Sequence, residues 1–219
     1  MSMIELVFAI VIMGIAVMSL PLILTQVQNN NAFAMQQEAI LAAKSKIGDI
    51  LTYEWDERSY DINASRSFVL DTVNGDTELS ATGMRRRIGH VNTDYRRKFF
   101  PVATNASTIG ADGGDLDDVD DFNGTTNPLT VTAGEGTALG LDYVFDLNLT
   151  ATVKYADDDA DYSVSTFNGF ALDYAGAPAT PTNIKVISVR VTGGEQNITL
   201  NAFTCNIGES TLLPPRPYQ

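Results

Sequence analysis

The chain has one cysteine, one histidine and one tryptophan in 219 residues. A lone Cys205 excludes an internal disulfide and a multi-cysteine zinc site. A lone His90 leaves no Ser-His-Asp or Cys-His arrangement on which to argue nucleophilic catalysis. No phosphate-binding glycine loop stands in the sequence either, and an enzyme is not expected. Positive charge is scarce as well: 14 Lys and Arg face 27 Asp and Glu, for a formal net charge of −13. That balance argues against nucleic acid or anionic lipid as the partner. Cys205 lies in a stretch of alternating apolar residues, where a cysteine reads as a small buried side chain rather than a reactive thiol.

Charge is scarcest at the start. No Lys or Arg precedes Lys44, and Glu5 is the only ionisable side chain in the first 37 positions. It stands inside the apolar run Met1 to Leu24, which has the ~20 residues needed to cross a hydrocarbon core as a helix. An ionised Asp at mid-bilayer costs about 2.5 to 3.5 kcal/mol on insertion scales, so Glu5 calls for a partner, an interfacial position or neutralisation. The nearest cation is the α-amino group of residue 1. A helix places residues 1 and 5 on one face, and the amine of an adjacent copy serves as well as that of the same chain.

Met1-Ser-Met-Ile-Glu5-Leu-Val-Phe closely resembles the mature N-terminus of type IV pilins and type II secretion pseudopilins. In that family an N-methylated hydrophobic first residue follows the prepilin-peptidase cleavage site. The glutamate at position 5 pairs with the N-terminal amine of a neighbouring subunit. The resemblance therefore implies methylation at Met1, an assembly role for Glu5, and a numbering that starts at the processed residue after a basic leader. A secretory signal peptide would instead show basic residues before its apolar core. Gly14 and Pro21 resemble the breakpoints of the family's helix, although the family proline more often lies one position later. Proline interrupts a helix ladder and glycine weakens it, so the segment between them is the weakest part of the span. An ordinary kinked anchor helix has the same two residues.

Beyond the apolar run, residues 32 to 55 hold no Pro and only Gly48. Phe33, Ile40, Ile47, Ile50 and Leu51, with Ala39 and Ala43, recur at helical spacing. One helix over residues 1–55 is expected, roughly 80 Å long, with 1–24 as its transmembrane or filament-core part. From Leu141 to Tyr155 every odd position is apolar, the period of a strand with one buried face. A second strand is expected over 161–167. Ile184 to Thr192 and Asn197 to Ile207 flank Gly193-Gly194-Glu195-Gln196, a hairpin signal. The fold class is α+β: a long N-terminal α-helix packed on a C-terminal antiparallel β-sheet, the type IV pilin-like arrangement. Residues 56–140 read as an irregular αβ-loop region, and 141–219 as the sheet region with an extended tail at Leu212 to Gln219.

Charge in the loop region is segregated. Arg85, Arg86, Arg87, Arg96, Arg97 and Lys98 are six of the 14 basic residues, and six Asp lie between positions 112 and 121. An electrostatic contact between the two clusters is the simplest expectation, beside a plainly solvated face. Asp115, Asp117, Asp118, Asp120, Asp121 and Asn123 form the best candidate calcium site, since calcium takes six to eight oxygen ligands. Their spacing does not fit an EF-hand, and a solvated acidic loop fits the residues equally well. Asp-Asp-Val-Asp-Asp-Phe-Asn-Gly also resembles a stretch of pilin-like proteins of the mannose-sensitive haemagglutinin class. Asp157 to Asp159 with Asp161 form a weaker cluster. Five Asn-x-Ser/Thr sequons occur, at Asn63, Asn105, Asn123, Asn148 and Asn197. In four of them, Asn63, Asn123, Asn148 and Asn197, an acidic residue stands two positions earlier, which resembles the extended acceptor sequon of bacterial oligosaccharyltransferases. Local Asp richness produces the same pattern by chance.

The expected function is that of a structural subunit of a type IV pilus or related filament. The N-terminal helices would bundle into a homo-oligomeric helical core while the sheets face solvent. The resemblance implies a prepilin peptidase, an inner-membrane platform protein, an assembly ATPase and a secretin as partners. It also implies the bacterial inner membrane before assembly and an extracellular filament after it. A minor pilin or pseudopilin is the nearest alternative. A monomeric membrane-anchored binding domain is a third, and it leaves Glu5 without a role.

Overall fold

The computed structural model describes residues 2–83, 85–86, 98–110, 114–132, 144–156, 161–162, 164–166, 172, 174 and 180–209. A single helix, α1 (Met3–Ile50), runs for 48 residues, about 72 Å at the usual rise. Ser2 caps it, its hydroxyl accepting from the Ile4 amide at 3.3 Å. The helix passes through Gly14 and Pro21 without a break. Pro21 has no N–H, so the Val17 carbonyl lacks its usual intrahelical donor.

α1 ends at Ile50, five residues short of the expected 55. The following residues, Thr52, Tyr53 and Trp55, are weak helix formers. The Thr52 hydroxyl and amide both bond the Asp49 carbonyl, which closes the last turn early. Tyr53 then meets Phe122 edge to face at 4.9 Å, and Trp55 turns inward against Tyr155.

The sheet is an antiparallel meander in the order β3 (Thr126–Thr132), β4 (Val144–Ala156), β5 (Ile184–Gly193), β6 (Gln196–Cys205). A small ribbon of β1 (Tyr60–Asp61) and β2 (Arg66–Ser67) sits apart. The alternation read in β4 holds: Leu147, Leu149, Ala151, Val153 and Tyr155 are buried. The β5–β6 hairpin closes with the pair Gly193 and Gln196. Its two loop residues, Gly194 and Glu195, have φ of 52° and 70°, the double positive φ of a type I′ turn.

Two elements differ from the expectation. β3 lies within the stretch read as irregular. Pro128 and the Thr and Asn residues around it hide the strand in the sequence. Among the described residues it pairs only with β4, and an edge is where a strand tolerates proline. The described residues of 161–167 form turn and bend instead of a strand. Leu141, Tyr143 and the tail from Leu212 lie outside the described residues.

α1 lies mainly against β5 and β6 and less against β4. The buried face is Ala39, Ala42, Ala43, Ile47 and Ile50, packed with Leu147, Leu149, Ala151, Val153, Ile187, Val189 and Val191. Small side chains let the helix settle close to the sheet. Phe33, Ile40 and Leu51, expected on this face, are exposed. Where the packed half begins, next to the free half, the helix meets the hairpin tip, and a Cβ on Gly194 would stand 3.2 Å from the Met35 sulfur. The fold is thus α+β, a long apolar N-terminal helix on a four-stranded antiparallel sheet.

Candidate functional site

Two regions carry unusual chemistry. The first is the free half of α1. Every residue from Ser2 to Asn30 is exposed, and the span is long and apolar enough to cross a membrane. Glu5 sits in its first turn, its amide bonded to the Ser2 carbonyl at 3.0 Å. Gly14 has open space around its Cα, with nothing within 4 Å of a built Cβ. Met1 lies outside the described residues. Lys44, the next cation along the chain, stands roughly 58 Å further along the helix axis.

The second region is buried, and the sequence reading missed it. Lys185 on β5 is 0% exposed and projects into the core face of the sheet beside its strand neighbour Tyr155. Its Nζ donates to the Trp55 carbonyl at 2.5 Å and is in direct contact with Asp120 Oδ1. Asp56 Oδ2 stands 3.7 Å away. The Trp55 ring centroid is 4.4 Å from Nζ and that of Tyr155 is 5.6 Å. The Tyr155 hydroxyl donates to the Ser107 carbonyl at 2.7 Å. A signal for this site exists in the sequence: Lys185 shares the odd phase of Ile187, Val189 and Val191, so the alternation turns it inward.

The acidic stretch folds around this lysine. Asp118, Asp120 and Asp121 are buried, with Asp120 to Phe122 in a 3₁₀ turn. Asp118 accepts from the amides of Glu57, Asp120 and Asp121. Asp121 accepts from those of Asp117 and Asp118. Asn123 accepts from the Val153 amide at 3.1 Å. Burial pushes the carboxyls of Asp118 and Asp120 up; for Asp120 the value reaches about 7, with Lys185 opposing the rise. Desolvation also raises Asp117, followed by its acidic neighbours. Burial raises the Tyr155 hydroxyl too.

The six calcium candidates therefore do not converge on one point. Asp118 turns both oxygens and Asp121 its Oδ2 to backbone amides, Asp120 faces Lys185, and Asp115 and Asp117 are exposed. Among the described residues no group of three acidic, His or Cys side chains is set to hold a metal ion. The donor set does not fit calcium. Calcium added to chelator-treated protein is expected to leave the emission of Trp55, the single tryptophan, unchanged; a spectral shift would contradict this.

The expected contact between the basic and acidic clusters is not found among the described residues. Arg85 makes a bidentate pair with Asp71 at 2.8 and 2.6 Å, and the acidic stretch takes Lys185. Arg87, Arg96, Arg97, Asp112 and Asp157 to Asp159 lie outside the described residues. Cys205 is in no disulfide and is half-buried, packed beside Ile184 and Val186. The sequon residues Asn63, Asn105, Asn123, Asn148 and Asn197 are all exposed. Asn197 already accepts from Arg190 at 2.8 Å. At Asn63 the preceding acid has a local task, since Asp61 accepts from the Asn63 amide at 2.8 Å.

No protein-family model, curated protein or solved structure matches this chain. What the structure establishes is a pilin-like architecture, a long apolar N-terminal helix half free and half laid on an antiparallel sheet.

Proposed function

We propose that this chain is a structural subunit, a pilin, that polymerises into a type IV pilus or related filament through the free half of α1. The observation that carries this reading is one continuous helix with two different halves. From Ala39 onward its buried face packs on the sheet, whereas Ser2 to Asn30 is exposed throughout. That free stretch is roughly 43 Å long, more than the ~30 Å of a hydrocarbon core. Before assembly, lipid of the bacterial inner membrane covers it. In the extracellular filament, neighbouring helices of a homo-oligomer replace the lipid, and Glu5 meets the amine of an adjacent copy.

Gly14 and Pro21 fit the same reading. The Val17 carbonyl, with no donor at residue 21, marks where the helix opens when subunits pack at their final spacing. A prepilin peptidase, an inner-membrane platform protein, an assembly ATPase and a secretin are the partners this route requires. A minor pilin or pseudopilin is the second reading.

Electron microscopy of the purified native material tests the proposal. Helical fibres composed mainly of this chain are expected. Fibres carrying it only in trace select the second reading, and dispersed monomers at all concentrations overturn both.

A further inference from the structure

Lys185, the one lysine buried in the core among the described residues, has more carboxylates around it than it can neutralise. Asp56, Asp118 and Asp120 are all buried near Lys185, yet they are not equally dependent on it. Asp56 keeps the Arg58 amide at 3.0 Å and the amide and hydroxyl of Ser107 at 2.7 and 2.9 Å. Asp118 keeps three backbone amides. Among the described residues, Asp120 has besides Lys185 only the Gly110 amide at 3.3 Å. Amine and carboxyl are thus left in direct contact in a buried place, the amine held also by the Trp55 carbonyl.

We infer that Lys185 and Asp120 condense to an intramolecular amide, so that the folded chain carries a self-made cross-link between β5 and the turn Asp120–Phe122. The geometry is prepared from both sides. Lys185 is fixed by strand pairing with Tyr155 and by its bond to the Trp55 carbonyl. Asp120 is fixed by the turn and by the hydrogen bond its backbone N–H donates to Asp118 Oδ1 at 2.8 Å. Holding two reacting groups in this way replaces a bimolecular step by an intramolecular one.

The step balances without a co-reactant. Proton transfer from the Lys185 ammonium to the Asp120 carboxylate gives amine and carboxylic acid. Nζ then attacks Cγ, one N–C bond forms, one C–O bond breaks, and the oxygen leaves as water with two protons. Asp56, 3.7 Å from Nζ, carries a proton from nitrogen to the leaving oxygen. Nothing is oxidised or reduced. Burial assists at two points. It favours the uncharged pair over two buried ions, in line with the raised Asp120 carboxyl, and the rings of Trp55 and Tyr155 keep out water that would reverse the bond. The inference does not rest on the filament reading.

Peptide mapping of the full-length wild-type protein by mass spectrometry tests it. Tryptic cleavage sites place Asp120 in peptide 99–154 and Lys185 in peptide 155–190 when cleavage after Lys185 is blocked. A branched species joining these two, lighter by one water than their sum, is expected. Asp120→Asn should give the same linked species with loss of ammonia instead, and Asp120→Ala none. Free peptide 99–154 with full cleavage after Lys185 in the folded wild type would overturn the proposal. A link from Lys185 to the peptide containing residue 56 would overturn the assignment to Asp120. The wild-type digest decides even where a variant does not fold.

Discussion

Glu5→Ala is expected to leave the sheet domain folded and the helix membrane-inserted while filament yield falls by at least about 30-fold. Truncating one partner of a desolvated interfacial charge pair costs about 2 to 5 kcal/mol, and every 1.4 kcal/mol is tenfold in affinity. The side chain touches no part of its own sheet, because α1 first becomes buried at Ala39. Folding therefore gains nothing from Glu5, and assembly carries the whole effect. Glu5→Gln keeps the shape and removes the charge, so it should fail nearly as badly. Circular dichroism and membrane fractionation supply the controls, and fibre mass after shearing supplies the readout. Normal fibres from Glu5→Ala would sink the pilin reading and favour the anchored monomer.

Whether Lys185 meets Asp120 as an ion pair or as the amide, Lys185→Ala leaves Asp120 as a buried carboxyl without its partner and should destabilise the sheet domain by about 3 to 5 kcal/mol. For a domain of this size that is a drop in melting temperature of roughly 6 to 20 °C. The cause is specific: Asp56 and Asp120 remain at 0% and 1% exposure with no cation beside them. Combining Lys185→Met with Asp120→Asn removes both charges and should recover part of the loss. A double-mutant cycle followed by denaturant unfolding measures the coupling. Purely additive effects would show that the two side chains do not act together.

The helix and the last three strands were legible because their signals are periodic and local. The run to Leu24 gives the free half of α1, and the odd-position residues of β4 and the Gly-Gly-Glu-Gln turn give the sheet. β3 was not legible, because an edge strand needs only one partner and its Thr, Asn and Pro128 mimic a loop. The helix face was half legible. Ala39, Ala43, Ile47 and Ile50 pack, but the bulky Phe33 and Ile40 stay outside while Ala42 goes in, since close approach to a sheet selects for size as well as polarity. The acidic stretch was misread for a different reason. Asp120 finds its cation 65 residues later, and nothing local distinguishes a carboxylate that turns inward from one that faces solvent.

Contact between the hairpin tip and Met35 fixes a clearance. From Leu24, the last residue of the apolar run, to Met35 the helix climbs about 16 Å. The headgroup layer on one side of a bilayer is roughly 5 to 8 Å deep. The polar stretch Thr25 to Asn31 more than fills it. On the filament reading, this stretch would carry the sheet above the lipid surface as on a stiff mast, and because the sheet is packed on α1, helix and sheet would turn together as one body to present any side to an incoming copy.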